Sequence, residues 1–163
     1  MTTPNEKTVL LNVGEPAPQF SLPAHPNGIV SLKDFIGKQN VILAFYPKDS
    51  TPGCTKEMCT FSDRKQEFAK LNTVILGIST DSEDSHVRFA AKHGLNNTLL
   101  SDTTRETGVA YGAIRGDRVT AERILFLIDK AGDIRHIHSG MPDFDDLLAV
   151  CKALAEIQSE QES

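Results

Sequence analysis

The chain has 163 residues and three cysteines, carries a formal charge of −5, and is 39% apolar and 24% charged. This length suits one domain with a core of its own, and the balance is that of ordinary globular chains. The negative charge, the lack of any Lys/Arg run and the lack of a long apolar stretch argue against nucleic-acid or membrane partners.

Met1 to Lys7 carries no apolar signal core, so the chain is expected in the cytoplasm. Residues 1–18 read as a polar entry segment punctuated by Gly14, Pro16 and Pro18, of which about 1–11 form a tail. Phe20-Ser21-Leu22 and Ile29-Val30-Ser31-Leu32 are predicted strands, joined through Pro26-Asn27-Gly28 as an N-terminal hairpin. Asp34 to Gly37 makes a single turn. Val41 to Tyr46 is a continuous apolar run, the pattern of a strand buried on both faces. A helix is expected from about Cys54 to Leu71, with Met58, Phe61, Phe68 and Leu71 on its inner stripe. Thr73 to Ser79 is a second buried strand.

Asp81 or Ser82 can cap the next helix, whose first turn carries Glu83 and Asp84 and whose end falls near His93-Gly94. His86 and His93 are expected on its surface, and His25 in a loop. Thr98 to Leu100 is a short strand, and Thr103 or Thr104 opens a short helix toward Tyr111-Gly112. Arg123 to Asp129 is a further strand; it turns at Lys130 to Asp133 and returns antiparallel as Ile134 to His138. The last helix runs from Asp143 to about Ile157, and residues 158–163 read as a polar tail. Strands and helices alternate through the middle of the chain, with a hairpin near each end. This order predicts a single α/β domain over 1–163, a mixed central sheet flanked by helices. A thioredoxin-like fold with extra N-terminal strands fits it.

Three cysteines are too few, and odd in number, for a secreted disulfide framework. Cys54 stands directly after the apolar strand, at the start of the predicted helix. A helix N-terminus offers unpaired N–H groups and partial positive charge, which favour a thiolate. Thr51 lies three residues earlier, so its hydroxyl can curl back toward the sulfur. Pro47 and Pro52 stiffen the loop, Pro47 can shield the thiol from water, and Gly53 lets the backbone approach closely. Glu57 sits one turn after Cys54. Alone it would oppose a thiolate, so it is either a solvated helix residue or the partner of a cation from elsewhere.

Cys59 is either a second redox thiol or a helix-core cysteine. Cys151 shares a helical face with Leu147 and Leu154 and is assigned to the core. His136 and His138 fall on one side of a strand, but spacing supplies no third ligand, so no metal is expected there. Asp63 and Arg64 are polar neighbours of the thiol helix without an assigned role.

Pro47, Thr51 and Cys54 match the pattern P-x-x-x-T-x-x-C, and the longer run Phe45-Tyr46-Pro47-Lys48-Asp49-Ser50-Thr51-Pro52-Gly53-Cys54-Thr55-Lys56-Glu57-Met58-Cys59 resembles the peroxiredoxins. More narrowly it resembles the atypical 2-Cys subgroup called peroxiredoxin Q or bacterioferritin comigratory proteins. The likeness extends over about residues 12–155, through G-E-P-A-P-Q-F-S-L-P, V-I-L-G-I-S-T-D, T-L-L-S-D and F-L-I-D-K-A-G-D-I. It implies that Cys54 is the peroxidatic cysteine, Thr51 the peroxide-positioning hydroxyl and Cys59 the resolving cysteine. It implies that Arg123, just before Ile124-Leu125-Phe126, is the active-site arginine, with Glu57 holding it. Arg123 is taken over Arg115 and Arg118 because its distance to this strand fits. Leu125 departs from the family, which often has Ser or Thr two residues after the arginine.

The resemblance implies a peroxidase for hydrogen peroxide and organic hydroperoxides that uses no metal, haem or other cofactor and is re-reduced by thioredoxin or a similar thiol donor. A redox sensor or a disulfide oxidoreductase is the alternative, although no C-x-x-C occurs. Intrahelical resolution would need no second subunit, so a monomer or weak dimer is expected. The five-residue spacing of Cys54 and Cys59 carries a constraint of its own. In a regular helix their Cα atoms lie about 8 to 9 Å apart, beyond the ~7 Å a disulfide spans.

Overall fold

The computed structural model describes residues 11–26 and 28–161. Seven strands form one mixed sheet: β1 Ser21–His25, β2 Ile29–Ser31, β3 Asn40–Phe45, β4 Thr73–Ser79, β5 Thr98–Ser101, β6 Ile124–Ile128 and β7 Ile134–Ser139, in the order β2-β1-β5-β4-β3-β6-β7. β3, β4 and β5 run parallel, while β6 and β1 flank them antiparallel. The apolar run after Gln39 becomes β3, buried at every position. It occupies the middle of the sheet because only a strand covered on both faces can bury such a run.

Strand alternation sends Leu43 and Phe45 to one core and Ile42, Ala44 and Tyr46 to the other. The second core is built against α1 Pro52–Asp63, α2 Lys65–Ala69, α3 Glu83–His93 and α5 Phe144–Gln161. The first is closed by residues after α4 Glu106–Ala110, including Tyr111 and Ile114, and by Ala17 and Phe20 of the entry segment.

Several expectations are corrected. The helix expected over 54–71 begins at Pro52 and breaks at Arg64, which leaves helical geometry (φ −104°, ψ 12°). Its guanidinium reaches Glu67 and Asp145 on α5, and the break keeps both Phe61 and Phe68 buried with rings 5.9 Å apart. Phe20 precedes β1 rather than opening it. β1 and β2 pair antiparallel from Ser21 opposite Ser31 to Pro23 opposite Ile29. Residues 158–161 are not a tail: α5 runs to Gln161, and the Gln158 and buried Asn40 amides exchange hydrogen bonds of 3.0 and 2.7 Å. The expected tail over 1–11 lies outside the described residues except for Leu11. His86 is not on the surface of α3 but fully buried beside Phe89 and Ala90.

Candidate active site

β3 carries the chain to one end of the sheet, and α1 starts there. Pro52 takes the first helical position, where its missing N–H costs nothing, so Cys54 is the third residue of the helix. Thr51 is the extended N-cap residue (φ −81°, ψ 153°), yet its side chain caps no helical N–H. Its hydroxyl donates instead to the Lys48 carbonyl at 2.9 Å. The proton expected to point at the sulfur is therefore committed to the loop, and the oxygen keeps its lone pairs for accepting. The positive end of α1 stays open to negative charge.

The antiparallel pairing of β6 with β3 sets Ile124 opposite Phe45. That register brings Arg123, 69 residues from Cys54, to the same sheet end as the start of α1. Its Nη1 donates to Glu57 Oε1 at 2.8 Å and its Nη2 to Cys54 Sγ at 3.5 Å. One planar guanidinium thus spans the carboxylate and the sulfur, a geometry that a lysine ammonium cannot reproduce. Arg115 and Arg118 are exposed, and Arg115 faces Glu122 at 3.7 Å.

Gly53 makes room for this arrangement, since a Cβ there would lie 2.8 Å from Arg123 Nη2. Burial works against the Arg123 charge, but the Glu57 hydrogen bond and the Cys54 sulfur raise its pKa above the ordinary value. Burial also pushes Glu57 up to about 7, with Arg123 pulling it back toward ionisation.

Cys54 is fully buried, in one apolar cluster with Met58 and Leu125. Pro47 is half-buried in the loop from β3. Cys59 is partly exposed, and all three cysteines are free thiols. Cys54 and Cys59 both lie inside regular α1, so the ideal separation of about 8 to 9 Å applies and no disulfide can form in this conformation. Burial, then the Asp63 charge, raise the Cys59 pKa. Cys151 lies on the buried face of α5, where burial pushes its pKa up to about 11. Among the described residues, no group of three or more His, Cys, Asp or Glu is arranged to hold a metal, and His136 and His138 make no exception.

Two features escaped sequence reasoning. One is the tight contact of Gly53 with Arg123. The other is a buried polar cluster behind the loop, centred on Asp49. Tyr46 donates to Asp49 Oδ1 at 2.6 Å, while Ser85 and His86 Nδ1 contact Oδ2 at 2.8 and 2.7 Å. The signal for His86 was its spacing: it precedes Phe89 by three residues and Ala90 by four, on the inner stripe of α3.

A model of the AhpC/TSA family matches residues 13–137, and the chain belongs to that family. Its relatives narrow the class to the Bcp peroxiredoxins. It is 41% identical over 143 residues to peroxiredoxin Bcp of Escherichia coli K12, covering 83% of this chain and 86% of that one. It is 39% identical over 128 residues to peroxiredoxin Bcp of Bacillus subtilis, covering 75% and 81%. Among solved structures it is similar to peroxidoxin BcpB of Mycobacterium tuberculosis, with a TM-score of 0.80 and 31% identity over 86% of this chain and 96% of that one.

Proposed function

We propose that the protein is a thiol peroxidase that reduces hydrogen peroxide and organic hydroperoxides. The observation that carries this reading is the Arg123 guanidinium bridging Cys54 and Glu57 at the open N-terminus of α1. The Cys54 thiolate attacks the terminal oxygen of the hydroperoxide. The S–O bond forms as the O–O bond breaks, and the leaving oxygen takes a proton and departs as water or alcohol. Cys54 is left as a sulfenic acid. Negative charge spreads from sulfur across both oxygens during this step, and Arg123 faces that charge with preorganised donors. The Thr51 oxygen, its own proton held by Lys48, accepts the hydroperoxide O–H and orients it. Pro47 walls the loop side.

Resolution follows when Cys59 attacks the sulfenic sulfur, giving a Cys54–Cys59 disulfide and water. This step requires α1 to unwind locally, because the intact helix keeps the two thiols too far apart. Unwinding also frees Cys59 from the burial and from the Asp63 charge that hold its proton. A dithiol donor of the thioredoxin kind then reduces the disulfide by exchange. Because both thiols belong to one helix, the cycle runs within a single chain, as a monomer or weak dimer. Three cysteines, too few and odd in number for a secreted disulfide framework, fit a reducing compartment such as the cytoplasm.

Stopped-flow consumption of hydroperoxide by the reduced protein tests the assignment. Cys54→Ser is expected to abolish it, and Cys59→Ser to leave the first attack intact and stall at the sulfenic acid. Turnover that survives Cys54→Ser would end the reading.

A further inference from the structure

Lys48 and Ser50 of the loop between β3 and α1 are exposed, yet Asp49 between them is buried. Its side chain is held against α3, through Ser85 and His86. Both carboxylate oxygens are engaged there, by Tyr46 on one and by Ser85 and His86 on the other. Its backbone N–H donates to Asp81 Oδ2 at 2.8 Å, and Asp81 is itself held by the Ser79 hydroxyl at 2.6 Å. His86 passes the anchorage on, since its Nε2 lies 2.9 Å from the Leu100 carbonyl of β5. A carbonyl only accepts, so Nε2 carries a proton, and a second proton lies on the 2.7 Å line between Nδ1 and Asp49.

Directly after this anchor, Ser50 adopts φ +68°, a left-handed conformation that a serine rarely takes. That turn sends the chain back through Thr51 and Pro52 into α1. A strained reversal persists only where its surroundings hold it.

We infer that Asp49 is a positioning residue for the attack of Cys54 on hydroperoxide: tied through His86 to β5, it holds the left-handed turn that aims Thr51 and the first turn of α1. It touches neither thiol nor substrate and acts through the loop. This rests on the peroxidase reading above.

The test is Asp49→Ala with Asp49→Asn as its conservative rescue. The alanine leaves Tyr46, Ser85 and His86 without their acceptor. The asparagine keeps an oxygen for Tyr46, and its amide donates to a neutral His86 that keeps its Nε2 proton toward Leu100. Two rates are read: reaction of reduced protein with hydrogen peroxide, which needs alignment, and alkylation of Cys54 by iodoacetamide, which needs only access. The expectation for Asp49→Ala is a peroxide rate lower by about tenfold or more with alkylation unchanged or faster, and for Asp49→Asn a peroxide rate within about threefold of the parent. Tyr46→Phe, which removes one hydroxyl from the cluster, is expected to lie between them and serves if the alanine variant does not fold.

An unchanged peroxide rate in Asp49→Ala or, where that variant does not fold, in Tyr46→Phe, would overturn the inference and leave the peroxidase reading standing. So would a parallel fall of both rates that follows the loss in Tm. A parent protein whose peroxide reaction does not depend on Cys54 would overturn both.

Discussion

Arg123 can reach the Cys54 sulfur because residue 53 has no side chain. A Cβ at Gly53 would stand 2.8 Å from Arg123 Nη2, and the guanidinium would have to leave the sulfur to make room. Gly53→Ala is therefore expected to slow peroxide attack by about tenfold, roughly 1.4 kcal/mol of barrier, while Tm shifts little. Stopped-flow rates and a thermal melt of the same sample check this. At this scale the sequence was most legible for the placing of Cys54 and Arg123. Cys54, Thr51 and Arg123 sit in runs whose chemistry is local or carried by a resemblance. The partners of two side chains were not readable. The Thr51 hydroxyl bonds Lys48 rather than the sulfur, because the turn sets a carbonyl within its reach. The spacing of His86 to Phe89 and Ala90 points inward, but its partners Asp49 and Leu100 lie 37 and 14 positions away, and no local pattern links them to it.

The proposed cycle places two demands on α1. It must be wound for its N-terminus to face the thiol, and opened for Cys59 to reach Cys54. Amide hydrogen exchange is expected to be slow across residues 54–62 in the reduced protein and faster there in the disulfide form. Equal protection in both states would exclude the opening. The end of α5 is a different case. Gln158 and Asn40 exchange two hydrogen bonds, and Asn40 is fully buried. Gln158→Ala leaves the Asn40 amide without that partner, at an expected cost of about 2 kcal/mol and a Tm drop of roughly 4 to 8 °C. A melt near neutral pH checks it. The polar composition of residues 158–161 suggested a tail, since helix length there is set by docking on β3 rather than by apolar periodicity. The break at Arg64 was hidden for a similar reason: its partner Asp145 lies 81 residues away on α5.

Across the whole molecule, the fold carries a pH signature through Glu57. Its carboxyl is buried and its pKa is raised from 4.5 to about 7. The folded state therefore binds more protons than the unfolded chain between those values, so this residue's contribution to stability is fullest below pH 4.5 and is lost as pH rises through about 7. Relative to Glu57→Gln, which does not titrate, the parent is expected to lose stability on the order of 3 kcal/mol over that window. Urea melts of both proteins at several pH values check the slope; a constant difference would contradict it.

Composition, the alternating order of strands and helices, and the run from Phe45 to Cys59 sufficed for the α/β class, the central strand β3 and the place of Cys54 at the start of α1. These are local or near-local properties: apolar periodicity, turn chemistry, and a thiol at the start of a helix. The meeting of Arg123 with Cys54 and Glu57 depends on β6 pairing antiparallel with β3, so that two segments 69 residues apart meet at one end of the strands. The anchor of Asp49 on α3 and β5 depends in the same way on packing between distant elements. Hydrogen-bond partners and burial arise from which surfaces come together, and a chain read residue by residue does not contain that until it is folded.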